Sequence, residues 1–210
     1  MSGQVGRSRA VSSAGMVVIS LVAVLAGLGA SVAVVAGLAT GVRAAASQLT
    51  SSKVTPAPAR RTVTESMELL TNAAFGPRYT NASWSVEAGD TVILKIKSYD
   101  DGTAPLTGAQ MMYDNVEGTL GGTETVDGRA VRRIPNADVA HTFTVVGLGL
   151  NLPIPAAPTG STVTVVARFV PERTGSFVWQ CYAPCGTGPN LMGGPMATMS
   201  WMEGKVRVIQ

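Results

Sequence analysis

The sequence predicts an all-β domain, a sandwich or barrel of short antiparallel strands, carried behind a single N-terminal membrane helix. Three observations predict it. Apolar residues alternate with polar ones at period two in several short runs. Glycine and proline, 24 and 12 of the 210 residues, punctuate those runs with turns. One stretch near the N-terminus, from Ala14 to Val42, holds 29 residues without a single charge.

That stretch comes first in the chain. About 20 apolar residues cross a bilayer as a helix, so residues 14–42 are long enough to span it with some tilt. The competing reading is a secretory signal peptide, for which "RAAAS" offers small residues at a cleavage point; the run is about twice the usual length of such a core. Arg7 and Arg9 precede it with no acidic residue, which keeps residues 1–13 in the cytoplasm and sends the rest of the chain outside. Gly27 and Ser31, Ala33 and Gly37, and Gly37 and Gly41 are each spaced by four. Such spacing lets a second membrane helix approach, although a plain Ala/Gly/Val-rich anchor looks the same. Residues 43–61, with Pro56 and Pro58 among Ser and Thr, read as an extended linker.

The extracytoplasmic domain is expected over residues 62–210. In "DTVILKIKSY", residues 90–99, Val92, Leu94 and Ile96 share one face and Lys95 and Lys97 the other. "STVTVVARFV", 161–170, repeats the period through Val163, Val165, Ala167 and Phe169. "HTFTVV", "GSFVWQC" and "GKVRVI" are further strands, rich in β-branched or aromatic residues. Residues 100–137 interrupt the pattern. A structureless loop of that length does not suit a compact domain, so the segment is read as a hairpin insertion around "TLGGTETVDGRAV" that decorates the sandwich or forms a docking surface beside its site.

Charge excludes one class of partner. Two of the 16 basic residues precede the anchor, which leaves the exported part with 14 basic against 13 acidic side chains, and a near-neutral domain has no electrostatic footprint for nucleic acid. The acidic residues show no paired catalytic spacing, no Ser/His/Asp set can be assembled around the one histidine, and the glycine turns "GTLGG" and "GLGLN" lack the strand-to-helix context of a phosphate loop.

The informative motifs are "DVAHTF" and "CYAPCGTGPNLM". A histidine opening a strand, and a later loop with two cysteines four apart followed by glycines and a methionine, resemble the cupredoxin family and, within it, the dinuclear copper (CuA) domain of cytochrome c oxidase subunit II. There the elements read D-V-x-H-x-F and C-x-x-x-C-G-x-G-H-x-x-M. The resemblance covers about Ser83 to Gln210, apart from the insertion, and implies a cupredoxin-like Greek-key β-sandwich. It also implies that Cys181 and Cys185 are thiolate ligands, that His141 and Met192 complete one copper's shell, and that Ala183 offers a backbone carbonyl. Pro189 stands where the second histidine belongs, and His141 is the only histidine in the chain. A dinuclear centre and a two-imidazole blue-copper centre therefore both lack a ligand.

What remains is a set of soft donors, Cys181, Cys185, His141 and Met192 with Met196 as the alternative thioether, suited to a single copper. The resemblance then implies one-electron transfer at the outer face of the cell membrane, beside a respiratory complex of the oxidase type and with a redox partner protein. Copper delivery, or a metal-free interaction subunit that kept the fold, are the other readings. Two cysteines in an exported domain also suit a disulfide, though one closing so small a loop contributes little stability.

Overall fold

The computed structural model describes residues 59–71 and 75–210; the expected anchor, and the linker before residue 59, lie outside the described residues. Among the described residues no helix is long and apolar enough to cross a membrane.

Among the described residues eleven strands form two sheets. The first contains β1 (Thr62–Leu70), β2 (Arg78–Tyr79), β4 (Thr91–Ser98), β5 (Glu124–Val126), β6 (Arg129–Val131) and β9 (Val163–Phe169), in the order β2-β1-β4-β9-β5-β6. The second contains β3 (Ser83–Glu87), β7 (Val139–Val145), β8 (Leu150–Pro155), β10 (Gly175–Gln180) and β11 (Glu203–Ile209), in the order β3-β11-β10-β7-β8. The all-β sandwich is as expected, but it is not purely antiparallel. The chain leaves the first sheet after β2, runs β3 in the second, and returns as β4, so that β1 lies parallel to β4, and β3 parallel to β11.

Period-two patterning explains most of the packing. Val92, Leu94 and Ile96 of β4 are fully buried and meet Val165, Ala167 and Phe169 of β9 on the same inner face. Across the gap, Trp179 of β10 stacks on Phe143 of β7 with centroids 5.0 Å apart, and Tyr79 meets Trp179 edge-on at 5.1 Å. The Trp179 indole N–H donates to the Ala82 carbonyl (2.8 Å). Gly204 passes so close that a Cβ there would lie 2.6 Å from the Trp179 indole nitrogen and run into the Ala82 carbonyl, so no larger residue fits.

The second sheet departs from simple alternation where the site is built. All seven residues of β7 are buried, and the inserted segment touches the strand where the Ala104 amide donates to the Val139 carbonyl (2.8 Å) and Asp100 meets His141. Strand β8, "LNLPIP", hides in a stretch that reads as turns; its Pro153 and Pro155 are tolerated because it is the last strand of the sheet. Within residues 100–137, Asp127 and Gly128 make the two-residue turn between β5 and β6, which extend the first sheet beyond β9. Glu117 exchanges two backbone hydrogen bonds with Asn151 of β8.

Candidate metal centre

Two strands and two turns bring the donors together. His141 enters from β7 at a register shift between Val139 and His141, a bulge that turns the imidazole inward, where it is 1% exposed. Cys181 follows β10 directly, its amide donating to the Met202 carbonyl (2.9 Å). Cys185 lies beyond a tight turn in which its amide donates to the Ala183 carbonyl (2.9 Å). Met196 sits in the short 3-10 turn Gly194–Ala197, fully buried.

His141 Nδ1 is 3.1 Å from Cys185 Sγ and 3.9 Å from Cys181 Sγ, and the two sulfurs, both free thiols, are 3.6 Å apart. A triangle with edges of 3.1, 3.6 and 3.9 Å has a circumradius of about 2.1 Å, the length of a metal–imidazole bond and slightly under a metal–thiolate one. Met196 Sδ lies 3.1 Å from Cys185 Sγ and supplies a thioether beside the triangle. His141, Cys181 and Cys185 are a metal-capable group among the described residues, and their donors fit a single soft metal ion.

The thioether nearest the thiols is thus Met196 and not Met192. Thr187 and Gly193 exchange a pair of backbone hydrogen bonds that close residues 187–193 into a small loop of their own. That loop carries Met192 away, to where its sulfur accepts a hydrogen bond from Gln110 Nε2 (3.5 Å). Pro189 lies at the loop's exposed tip. A Cβ at Gly186 would overlap Met196 and the Gly193 carbonyl, so the return of the chain onto the site depends on that glycine. Ala183 is fully buried, and its carbonyl, 3.9 Å from Cys181 Sγ, already accepts the Cys185 amide.

Two further residues shape the site without being legible in the motif. Asp100 Oδ2 is 2.6 Å from His141 Nε2, while Asp100 Oδ1 accepts the Gly102 amide (2.9 Å). The carboxylate is thereby fixed in a turn and in turn fixes the imidazole with Nδ1 toward the sulfurs, the carboxylate–histidine arrangement that orients metal ligands. Thr142 donates its amide to Cys181 Sγ (3.3 Å). The only sequence signal for Asp100 is its place at the end of an alternating strand; Asp101 beside it has the same chemistry.

The charges agree with this geometry. Burial disfavours the imidazolium, but the hydrogen bond to Asp100 and the Cys181 sulfur outweigh it and push His141 up to about 9. Burial likewise disfavours the Asp100 and Cys181 anions, yet His141 holds Asp100 below the usual carboxylate range, and contacts from Cys185 and His141 hold the Cys181 thiol well below the usual thiol range. The Cys181 sulfur, then burial, push Cys185 up. All four shifts favour an imidazolium between a carboxylate and the Cys181 thiolate, with the Cys185 thiol protonated. His141 Nδ1 and the Cys185 sulfur would have to give up their protons to hold a metal there.

No family model matches the chain, and no curated protein matches it. Among solved structures it is similar to rusticyanin from Thiobacillus ferrooxidans, with 13% identity, 70% of this chain and 77% of that one covered, and a TM-score of 0.37. It is similar to a second structure of rusticyanin, a copper protein, with 14% identity, 70% and 78% covered, and a TM-score of 0.37. It is also similar to auracyanin B, with 14% identity, 75% and 94% covered, and a TM-score of 0.33. Likeness of this size assigns no activity to the chain.

Proposed function

We propose that the chain is a membrane-anchored cupredoxin whose extracytoplasmic domain binds one copper ion at His141, Cys181, Cys185 and Met196 and passes single electrons between partner proteins. The observation that carries the reading is the convergence of an imidazole nitrogen, two thiol sulfurs and a thioether in a buried site whose histidine is already oriented by Asp100. Bound copper would supply a one-electron couple. The chain's own residues hold the imidazole with Nδ1 inward, stabilise the Cys181 thiolate with the Thr142 amide, and exclude water; a rigid sandwich around them limits the rearrangement that slows electron transfer.

The motif resemblance, together with the uncharged run 14–42, supports a place at the outer face of a cell membrane beside an oxidase-type respiratory complex. The relation to the dinuclear copper domain rests on the motif alone, since the chain holds one histidine. A second reading, copper delivery, is favoured by the donors themselves: two thiolates and a thioether suit Cu(I), and Cys185 and Met192 are less buried than Cys181 and Met196.

Copper content and an optical spectrum test both. The full chain is reduced, loaded anaerobically with Cu(I), then oxidised. One copper per chain, with a visible thiolate-to-copper absorption lost in Cys181→Ser, supports electron transfer. Colourless Cu(I) binding with exchange to a chelator moves the reading to delivery. No copper under either condition, with Cys181 bonded to Cys185, removes both and leaves an interaction module.

A further inference from the structure

Beneath the site, the buried polar side chains form one continuous line. The Tyr182 amide donates to Thr142 Oγ1 (2.9 Å), and the Thr142 and Thr144 hydroxyls lie 2.9 Å apart. Thr144 Oγ1 donates to Asn151 Oδ1 (2.6 Å), and Asn151 Nδ2 donates to the carbonyls of Tyr113 (2.9 Å) and Asn115 (2.6 Å). Thr142, Thr144 and Asn151 are at most 3% exposed. The amide at one end can only donate and the carbonyl oxygen at the other can only accept. The hydroxyls between them therefore have one consistent sense, each donating toward Asn151, an arrangement in which neighbouring bonds reinforce one another.

The ends of this line matter. One is the peptide joining Cys181 to Tyr182, whose sulfur side is held by the Thr142 amide. The other is the 3-10 turn Gly108–Asp114 and the residue after it, within the inserted segment. That turn is clasped to the ligand strand a second time, by the Tyr113 ring stacked on Tyr182 with centroids 4.4 Å apart and planes 16° from parallel. Arg133 anchors its end from the other side through a hydrogen bond to the buried Asp114 (2.8 Å). Decoration on a sandwich does not need a buried polar relay into the core, where every unpaired group is costly.

We infer that Thr144 and Asn151 are positioning residues that fix the Cys181–Tyr182 peptide against the inserted segment, making residues 108–115 part of the centre. They touch neither sulfur, and they act by removing the freedom of the peptide that carries one. The part of this inference that concerns metal rests on the copper-site reading; the part that concerns the Cys181 sulfur does not.

The test uses the full chain as wild type, Asn151→Leu, Thr144→Val and Thr144→Ser. In reduced, metal-free protein, alkylation rates are mapped separately to Cys181 and Cys185 by mass spectrometry, with thermal unfolding recorded alongside. The expected result is Cys181 alkylation about tenfold faster in Asn151→Leu and Thr144→Val, and near the wild-type rate in Thr144→Ser, which keeps the hydroxyl. Cu(I) affinity against a competing chelator is expected to fall about tenfold in the same two variants and to be restored in Thr144→Ser. A lower melting temperature with unchanged Cys181 rates and Cu(I) affinity would overturn the inference, and so would a Thr144→Ser that behaves like Thr144→Val. Should Asn151→Leu fail to fold, Thr144→Val, which keeps shape and loses only the hydroxyl, decides alone. If the wild type takes up no copper, the metal reading falls while the alkylation rates still decide whether the line positions Cys181.

Discussion

Two carboxylates in the inserted segment have opposite fates. Asp100, at its start, is 21% exposed, takes a hydrogen bond from the Gly102 amide and faces His141 at 2.6 Å. Glu124, in β5, shares the inner face with Ala167 and Leu94, is 1% exposed, and finds no partner for either oxygen. One carboxylate keeps its charge because a cation stands beside it. The other gives its charge up, since burial with nothing to offset it pushes Glu124 to about 9. Distance from the surface does not decide whether a buried acid serves a site; a matched partner does.

The sharpest way to break this contrast is pH. The folded Glu124 titrates near 9 and the unfolded one near 4.5, so between those values the folded state holds the extra proton. Its contribution to stability is full below about 4.5 and is lost as pH rises through 9, at up to about 1.4 kcal/mol per pH unit. Urea unfolding of wild type and Glu124→Gln across that window should give a difference that grows with pH in the variant's favour; parallel profiles would mean that Glu124 is ionised and solvated after all.

Next in size is the removal of the partnered charge. Asp100→Asn keeps the shape and loses the anion facing His141, and Cu(I) affinity is expected to fall about 10- to 100-fold by chelator competition. An unchanged affinity would reduce Asp100 to a turn residue.

A third carboxylate lies between the two cases. Asp114 is 2% exposed and paired with Arg133, whose side chain is 58% exposed. Arg133→Met should leave the buried Asp114 without its ion-pair partner, lowering stability by about 1–3 kcal/mol in denaturant titration.

The smallest effect belongs to the thioethers. Met196→Leu should change the copper spectrum and weaken Cu(I) binding, whereas Met192→Leu should alter affinity by less than about twofold, because its sulfur faces Gln110. The reverse order would show that the 187–193 loop rearranges when metal binds.

Much of this was legible in the order of residues, and the rest failed for identifiable reasons. The strands carrying Leu94, Val165 and Val206 announce themselves by period two. Strand β8 does not, because Pro153 and Pro155 spell a turn until the strand is known to lie at the side of a sheet. His141, Cys181 and Cys185 are nominated through the motif resemblance, and the turn between the two thiols sets their separation locally. That Met196 and not Met192 lies against Cys185 was not legible, because counting along the chain cannot see the Thr187–Gly193 hydrogen bonds that fold the intervening residues out. Asp100 was invisible for the opposite reason. Its partner is 41 residues away, and only the meeting of β4 with β7 across the sandwich brings them together.

The backbone bridge between Glu117 and Asn151 has a consequence for how copies of this protein behave toward one another. Strand β8 ends its sheet, and without the bridge the amide and carbonyl of Asn151 would stand open beside a run of apolar residues. That is a template onto which a neighbouring molecule can add a strand. Together with the two prolines, which have no amide to offer, the inserted segment caps the template. Trimming residues 100–137 to obtain a minimal copper domain would therefore yield a sticky one, prone to build sheets between molecules before it could be loaded.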